Sequence, residues 1–144
     1  MINSYKYKDL LLVLVISIGI LFRLYNINHD DLWFDEIATF WVTDPSLTLK
    51  EMFQRTRTTE GAPYTYYILI HYLHKIFGYD PNIGRYFSSF FGIISIFLVG
   101  YLSILIKKNN SYKISLFLVS FNVYLIAYSA EFRLFTLLFF STSI

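Results

Sequence analysis

YFSSFFGIISIFLVGYLSILI, from Tyr86 to Ile106, has no charge and no proline from end to end. As a helix it would be about 31 Å long at 1.5 Å per residue. A hydrocarbon core about 30 Å thick needs about 20 such residues. The stretch therefore predicts a membrane-spanning helix. Arg85 bounds it on one side and Lys107-Lys108-Asn109-Asn110 on the other.

Three more apolar blocks lie outward from it. The first gives a span over about residues 9–27, after a short basic start containing Lys6 and Lys8. Arg23 near its end is expected to snorkel to the headgroups. No small-residue cleavage site follows, so the block reads as an uncleaved helix and not as a signal peptide. A span over about residues 112–130 is closed by Glu131 and Arg133. The last block, 134–144, is still apolar at Ile144 and is too short to cross a bilayer. This predicts an all-α, polytopic transmembrane protein and, at its end, the N-terminal part of a longer one.

Composition agrees. The chain is 56% hydrophobic and only 15% charged, against about 25% charged in a typical soluble domain. There is no cysteine, which excludes a disulfide framework, a thiol nucleophile and Cys-ligated zinc. A net charge of +2 gives no argument for a nucleic-acid partner. The placement of the charges is more informative.

The segment Pro63–Tyr79 is apolar but carries His71, His74 and Lys75. Wound as a helix, it places Tyr64, Tyr67, His71, His74 and Lys75 on one face. That suits a helix lying in the interface. With this helix flat, Lys6, Lys8, Lys107, Lys108 and Lys113 share one side, which the distribution of lysines marks as cytoplasmic. The N-terminus is then inside and the loop of about residues 28–85 is outside. Asp9 is the only acid inside. A short amphipathic helix over Leu47–Phe53, capped by Ser46 or Thr48, is expected within the outer loop.

The outer surface collects Asp30, Asp31, Asp35, Glu36, Glu60, His71, Lys75, Arg85, Glu131 and Arg133. Asp35 and Glu36 follow Trp33 and Phe34, where desolvation would make them more basic. Adjacent residues cannot easily flank one glycosidic bond, so one base and one helper is the better reading. Arg85 and Arg133 are interfacial anchors or, with Lys75, ligands for a lipid phosphate, which guanidinium forks bind bidentately. His71 and His74 have a spacing seen in helical metal sites, but no third ligand is placed. The sequence thus requires no cofactor, with a divalent metal the one candidate, and His71 reads as lining a polar pocket.

Four motifs together resemble the GT-C membrane glycosyltransferases. They are Leu32-Trp33-Phe34-Asp35-Glu36 after the first span, Pro63-Tyr64-Thr65-Tyr66-Tyr67 in a juxtamembrane helix, Arg85-Tyr86-Phe87-Ser88 at a span start, and Tyr128-Ser129-Ala130-Glu131-Phe132-Arg133. The branch they resemble is that of the dolichyl-phosphate-mannose-protein mannosyltransferases and their bacterial relatives. Members run to several hundred residues and many more spans, and many have two prolines where this chain has Ala62-Pro63.

The resemblance implies an inverting transfer of a sugar from a polyprenyl- or dolichyl-phosphate donor to an acceptor hydroxyl outside the cytoplasm, at the plasma membrane. The acceptor would be a protein, a lipid or a polysaccharide of the cell envelope. Asp35 would be the general base and Glu36 would orient the acceptor or Asp35. Arg85 would hold the donor phosphate, with Glu131 and Arg133 nearby. Other classes fit the sequence too: a transporter or flippase subunit, whose acids would be expected at mid-membrane depth, and an inactive remnant of the enzyme.

Overall fold

The computed structural model describes residues 2–25, 27, 31–59, 64–106 and 111–143. The side chains of residues 2–9 and 111 are not among those described. Asp30, Glu60, Ala62, Pro63, Lys107 and Lys108, and the side chains of Lys6, Lys8 and Asp9, therefore lie outside the described residues. Those described fold into eight helices without a strand: α1 (Ile2–Leu24), α2 (Phe34–Val42), α3 (Leu49–Thr59), α4 (Tyr64–Phe77), α5 (Pro81–Ile106), α6 (Ser111–Phe121), α7 (Val123–Ala130) and α8 (Phe135–Thr142). The all-α expectation holds.

α5 is the helix around which the others pack. It touches α1, α4, α6, α7 and α8. One stripe explains why: Gly84, Ser88, Gly92, Ile96 and Gly100 recur every four residues and are all buried. Small side chains let helix backbones approach closely. The opposite face presents Tyr86, Phe90, Phe97, Tyr101 and Leu105 outward. At Gly84 a Cβ would run into the ring of Phe132. Gly84→Ala is expected to cost about 1–3 kcal/mol, the usual penalty of overpacking. Thermal unfolding would read this as a lowered midpoint, and an unchanged midpoint would rule the clash out.

α5 begins at Pro81, earlier than the expected start at Tyr86. Proline suits the first turn of a helix, where its missing N–H is not needed. Asp80 caps the turn, its Oδ1 accepting from Asn82 N–H at 2.9 Å. Gly78, at φ 106°, ends α4 just before, donating to the His74 carbonyl at 3.0 Å. Arg85 is therefore inside the helix and not ahead of it.

Among the described residues α5 is the one single helix long and apolar enough to cross a membrane. The apolar part of α1, Leu10–Leu24, is shorter. The expected continuous helix over 112–130 is instead two, α6 and α7, bent by 53° at Asn122. They qualify as a span only as a pair.

α2, α3 and α4 form a layer of their own. Val42, Met52, Tyr66, Tyr67 and Ile70 close its core onto Phe132 and Leu134 of the bundle. A second core lies within the bundle, where Ile96, Leu116 and Val119 meet Leu12, Ile16 and Ile20. α3 extends past the expected Phe53 to Thr59. Thr48, not Ser46, caps it: Glu51 accepts from Thr48 N–H at 2.8 Å and Thr48 Oγ1 accepts from Glu51 N–H at 3.3 Å, a capping box. Ser46 instead donates to Asp44 in the preceding turn.

Candidate functional site

Asp35 and Glu36 sit in the first turn of α2, where the helix dipole favours carboxylates. One residue apart, they point in different directions and acquire opposite environments. The Glu36 side chain is 1% exposed. Its carboxylate accepts Arg85 Nε at 3.0 Å and Nη2 at 2.8 Å, Phe132 N–H at 2.6 Å and Trp33 N–H at 3.2 Å. The last is half of a capping box. Arg85 also donates Nη1 to the Ile27 carbonyl at 3.1 Å. The bidentate pair thus ties α2 to α5, to the end of α1 and to the turn after α7.

Burial alone would raise the Glu36 pKa. The Arg85 hydrogen bond, the Phe132 and Trp33 N–H groups and the Arg85 charge overcome it, and the value falls below the ordinary 4.5. The expected gain in basicity is therefore reversed at Glu36, which is held ionised by its partners. The guanidinium of Arg85, expected to hold a phosphate, is itself buried and engaged with Glu36.

The Asp35 side chain remains 49% exposed and pairs with Arg133 Nη1 at 3.0 Å. Arg133, 24% exposed, lies in the turn between α7 and α8 with its guanidinium over the Phe135 ring at 4.6 Å. Ser88 of α5 donates to the Arg133 carbonyl at 3.2 Å. Four sequence-distant segments thus meet here: the starts of α2 and α5 and the turn Glu131–Leu134, with Ile27 behind.

A cavity of about 160 Å³ opens beside this junction, lined by Ile27, Trp33, Glu36, Arg85, Ala127, Ala130 and Glu131. The Glu131 carboxyl is half-buried on its wall. Burial is the main cause of a raised pKa there; the Arg133 charge opposes it, Glu36 and Asp35 reinforce it, and Arg85 opposes it. An acid whose folded pKa exceeds its unfolded value loses stability as pH rises from the ordinary value through the folded one. Glu131→Gln is therefore expected to raise the melting temperature at pH 7 and to leave it unchanged below the carboxylate range. Equal melting curves at pH 7 would show that the carboxyl is well solvated.

The α4 residues form no part of this cluster. His71 is fully buried. Its neighbours are the Tyr72 ring and the backbone at Thr43 and Asp44. His74 shares a hydrogen bond of 3.1 Å with the Thr43 carbonyl through Nδ1 and packs against Phe40, Tyr79 and Phe132. Desolvation lowers the pKa of both imidazoles. Lys75 is exposed over the Tyr72 ring. No group of three or more His, Cys, Asp or Glu side chains able to hold a metal is gathered among the described residues. Asp31 is exposed ahead of α2.

Sequence reasoning placed Asp35, Glu36, Arg85, Glu131 and Arg133 on one surface without finding their pairing. It also missed the small-residue stripe of α5, whose signal is the four-residue recurrence in Gly84-Ser88-Gly92. Comparison with family models, with curated proteins and with solved structures matches this chain to none of them.

Proposed function

We propose that this chain supplies the catalytic base of a GT-C-like membrane glycosyltransferase, with Asp35 as that base. The observation that carries the reading is the contrast within one helical turn: Glu36 is enclosed by donors, while Asp35 keeps an accessible carboxylate beside the Arg133 guanidinium. Asp35 would take the acceptor hydroxyl proton as that oxygen attacks the anomeric carbon. The bond to the donor phosphate breaks on the opposite face, and polyprenyl or dolichyl phosphate leaves. A single base opposite the leaving group gives inversion. Arg133, more open than Arg85, is the better candidate for the donor phosphate. Leaving Asp35 for the phosphate would free the base and neutralise charge growing on the leaving group.

The polytopic membrane reading draws on exposed apolar side chains. Leu10, Leu14 and Leu21 of α1, Phe97 and Leu105 of α5, and Ile114 and Leu118 of α6 all face outward. So large an apolar surface is unusual on a soluble monomer. α2 is patterned in reverse, with Phe34, Ile37 and Trp41 exposed and Glu36 and Thr39 buried. α4 exposes Leu69, Tyr72 and Ile76 and buries His71 and His74 alongside Tyr66, Tyr67 and Ile70. Both suit helices lying against lipid in the outer interface. With α6 and α7 as one bent span, the Glu131–Arg133 turn returns to the side of α2, the N-terminus is cytoplasmic, and the site faces out of the cell.

The test is transfer by the full-length protein in liposomes containing polyprenyl- or dolichyl-phosphate-linked hexoses. Acceptor-dependent release of the lipid phosphate is expected. Folded protein that releases none from any such donor would overturn the proposal.

A further inference from the structure

Arg23 does not snorkel. It is 1% exposed, and its guanidinium turns into the protein. Nη1 donates to the carbonyls of Gly19 at 2.9 Å and Ser120 at 3.1 Å, and Nη2 to that of Val119 at 2.8 Å. In an unbroken helix, the Val119 and Ser120 carbonyls would accept from the N–H groups four residues on. The bend at Asn122 removes those partners.

No proline or glycine lies between Ser111 and Ala130, and a sharp kink needs an identifiable cause. Two side chains replace the lost bonds. Arg23 satisfies the carbonyls that end α6. Asn122 starts α7, its Oδ1 accepting from Leu125 N–H at 3.0 Å. Ser89 Oγ of α5 then meets the Arg23 carbonyl at 3.1 Å and the Ser129 carbonyl at 2.7 Å. This holds the ends of α1 and α7 against one point of α5. Directly beyond Ser129 come Glu131 and Arg133, the partner of Asp35.

We infer that Arg23 is a positioning residue: by holding the α6–α7 bend it sets the direction of α7 and so places Arg133 against Asp35. Its effect on turnover rests on the proposed glycosyl transfer, and its effect on the placement of α7 does not.

The experiment uses the protein in nanodiscs. The sequence has no cysteine, so spin labels can be placed on introduced ones. A pair at Phe97 and Tyr124, both exposed, reads the bend. A pair at Ile37 and Tyr124, also exposed, reads α7 against α2. Arg23→Met should shift both distances and lower kcat about 10²-fold, the scale of a misplacement of about 1 Å. KM for the lipid donor should rise together with the fall in kcat, because Arg133 is the group proposed to meet the donor phosphate.

Arg23→Lys, which can still donate to the carbonyls, should recover at least about tenfold of that loss. Asn122→Ala should move the distances in the same direction with a smaller fall in kcat, and it carries the test with Arg23→Lys if Arg23→Met does not accumulate. Unchanged distances in the variants overturn the inference, as does a shift of α7 with unchanged kcat, or a lysine no better than methionine. If the unmodified protein transfers no sugar, the proposed function fails, and the Ile37–Tyr124 distance alone then decides the positioning claim.

Discussion

Asp35→Asn is expected to reduce sugar transfer by about 10²–10⁴-fold, the contribution of a positioned general base, while the protein inserts and accumulates normally. The asparagine keeps the size and shape of the side chain and loses the ability to take a proton. Stability should scarcely change. The carboxylate is half-exposed, and its pair with Arg133 is only partly shielded; such pairs contribute about 0–1 kcal/mol. The measurement compares initial rates of lipid-phosphate release at matched protein levels, together with the unfolding midpoint. An Asn variant that transfers at the wild-type rate removes Asp35 from the chemistry. A variant that is inactive because it fails to accumulate would make Asp35 a structural residue. Asp35→Glu separates these outcomes, since it restores a base on a longer arm without restoring the original ion-pair geometry.

Glu36→Gln, one residue along, should behave in the opposite way. Removing one partner of a buried bidentate pair leaves the other charge uncompensated, and such changes typically cost about 3–5 kcal/mol. Four donors converge on this carboxylate from Trp33, Arg85 and Phe132, so its loss loosens α2, α5 and the turn after α7 together. The expected result is low abundance and a much reduced unfolding midpoint, with any surviving folded protein retaining Asp35. Replacing both partners, as in Glu36→Met with Arg85→Met, should recover much of the lost stability, because the penalty lies in the unpaired charge.

The pH dependence has a defined sign. The folded pKa of Glu36 lies below its ordinary 4.5, so the tie contributes fully above that value and is lost as pH falls through the folded one. Wild-type protein should therefore show an acid-labile component of stability that Glu36→Gln lacks. If the two melt alike at pH 7, Glu36 is not the structural tie described here.

Periodicity and composition determined the helical class, the charge-free stretch Tyr86–Ile106 within α5, the existence of α4 and the gathering of Asp35, Glu36, Arg85, Glu131 and Arg133 on one surface. Apolar runs, and a polar face recurring every three to four residues, are local properties of the chain. Gly78 and Asp80-Pro81 mark the stop of α4 and the start of α5, whereas hydrophobicity alone carried α4 to Tyr79 and placed the start of α5 late, at Tyr86. The recurrence Gly84-Ser88-Gly92 is also present in the sequence, but hydrophobicity passes over it, and it became the packing face of α5 only once the neighbouring helices were seen against it.

The rest was decided only when distant segments met. Asp35 and Glu36 are neighbours in sequence with the same charge; one became a buried tie and the other an open carboxylate because Arg85 and Phe132 arrive on one side of α2. Arg23 looked like an interfacial anchor, and it turned inward because a bend almost a hundred residues away left carbonyls without partners. The bend itself occurs without proline or glycine, so its cause is visible only when Arg23 and Asn122 are seen together. The sequence by itself determined which residues could be charged, apolar or helical. The tertiary structure decided which charges are satisfied and which remain available, since that depends on the donors and acceptors that packing brings within about 3 Å.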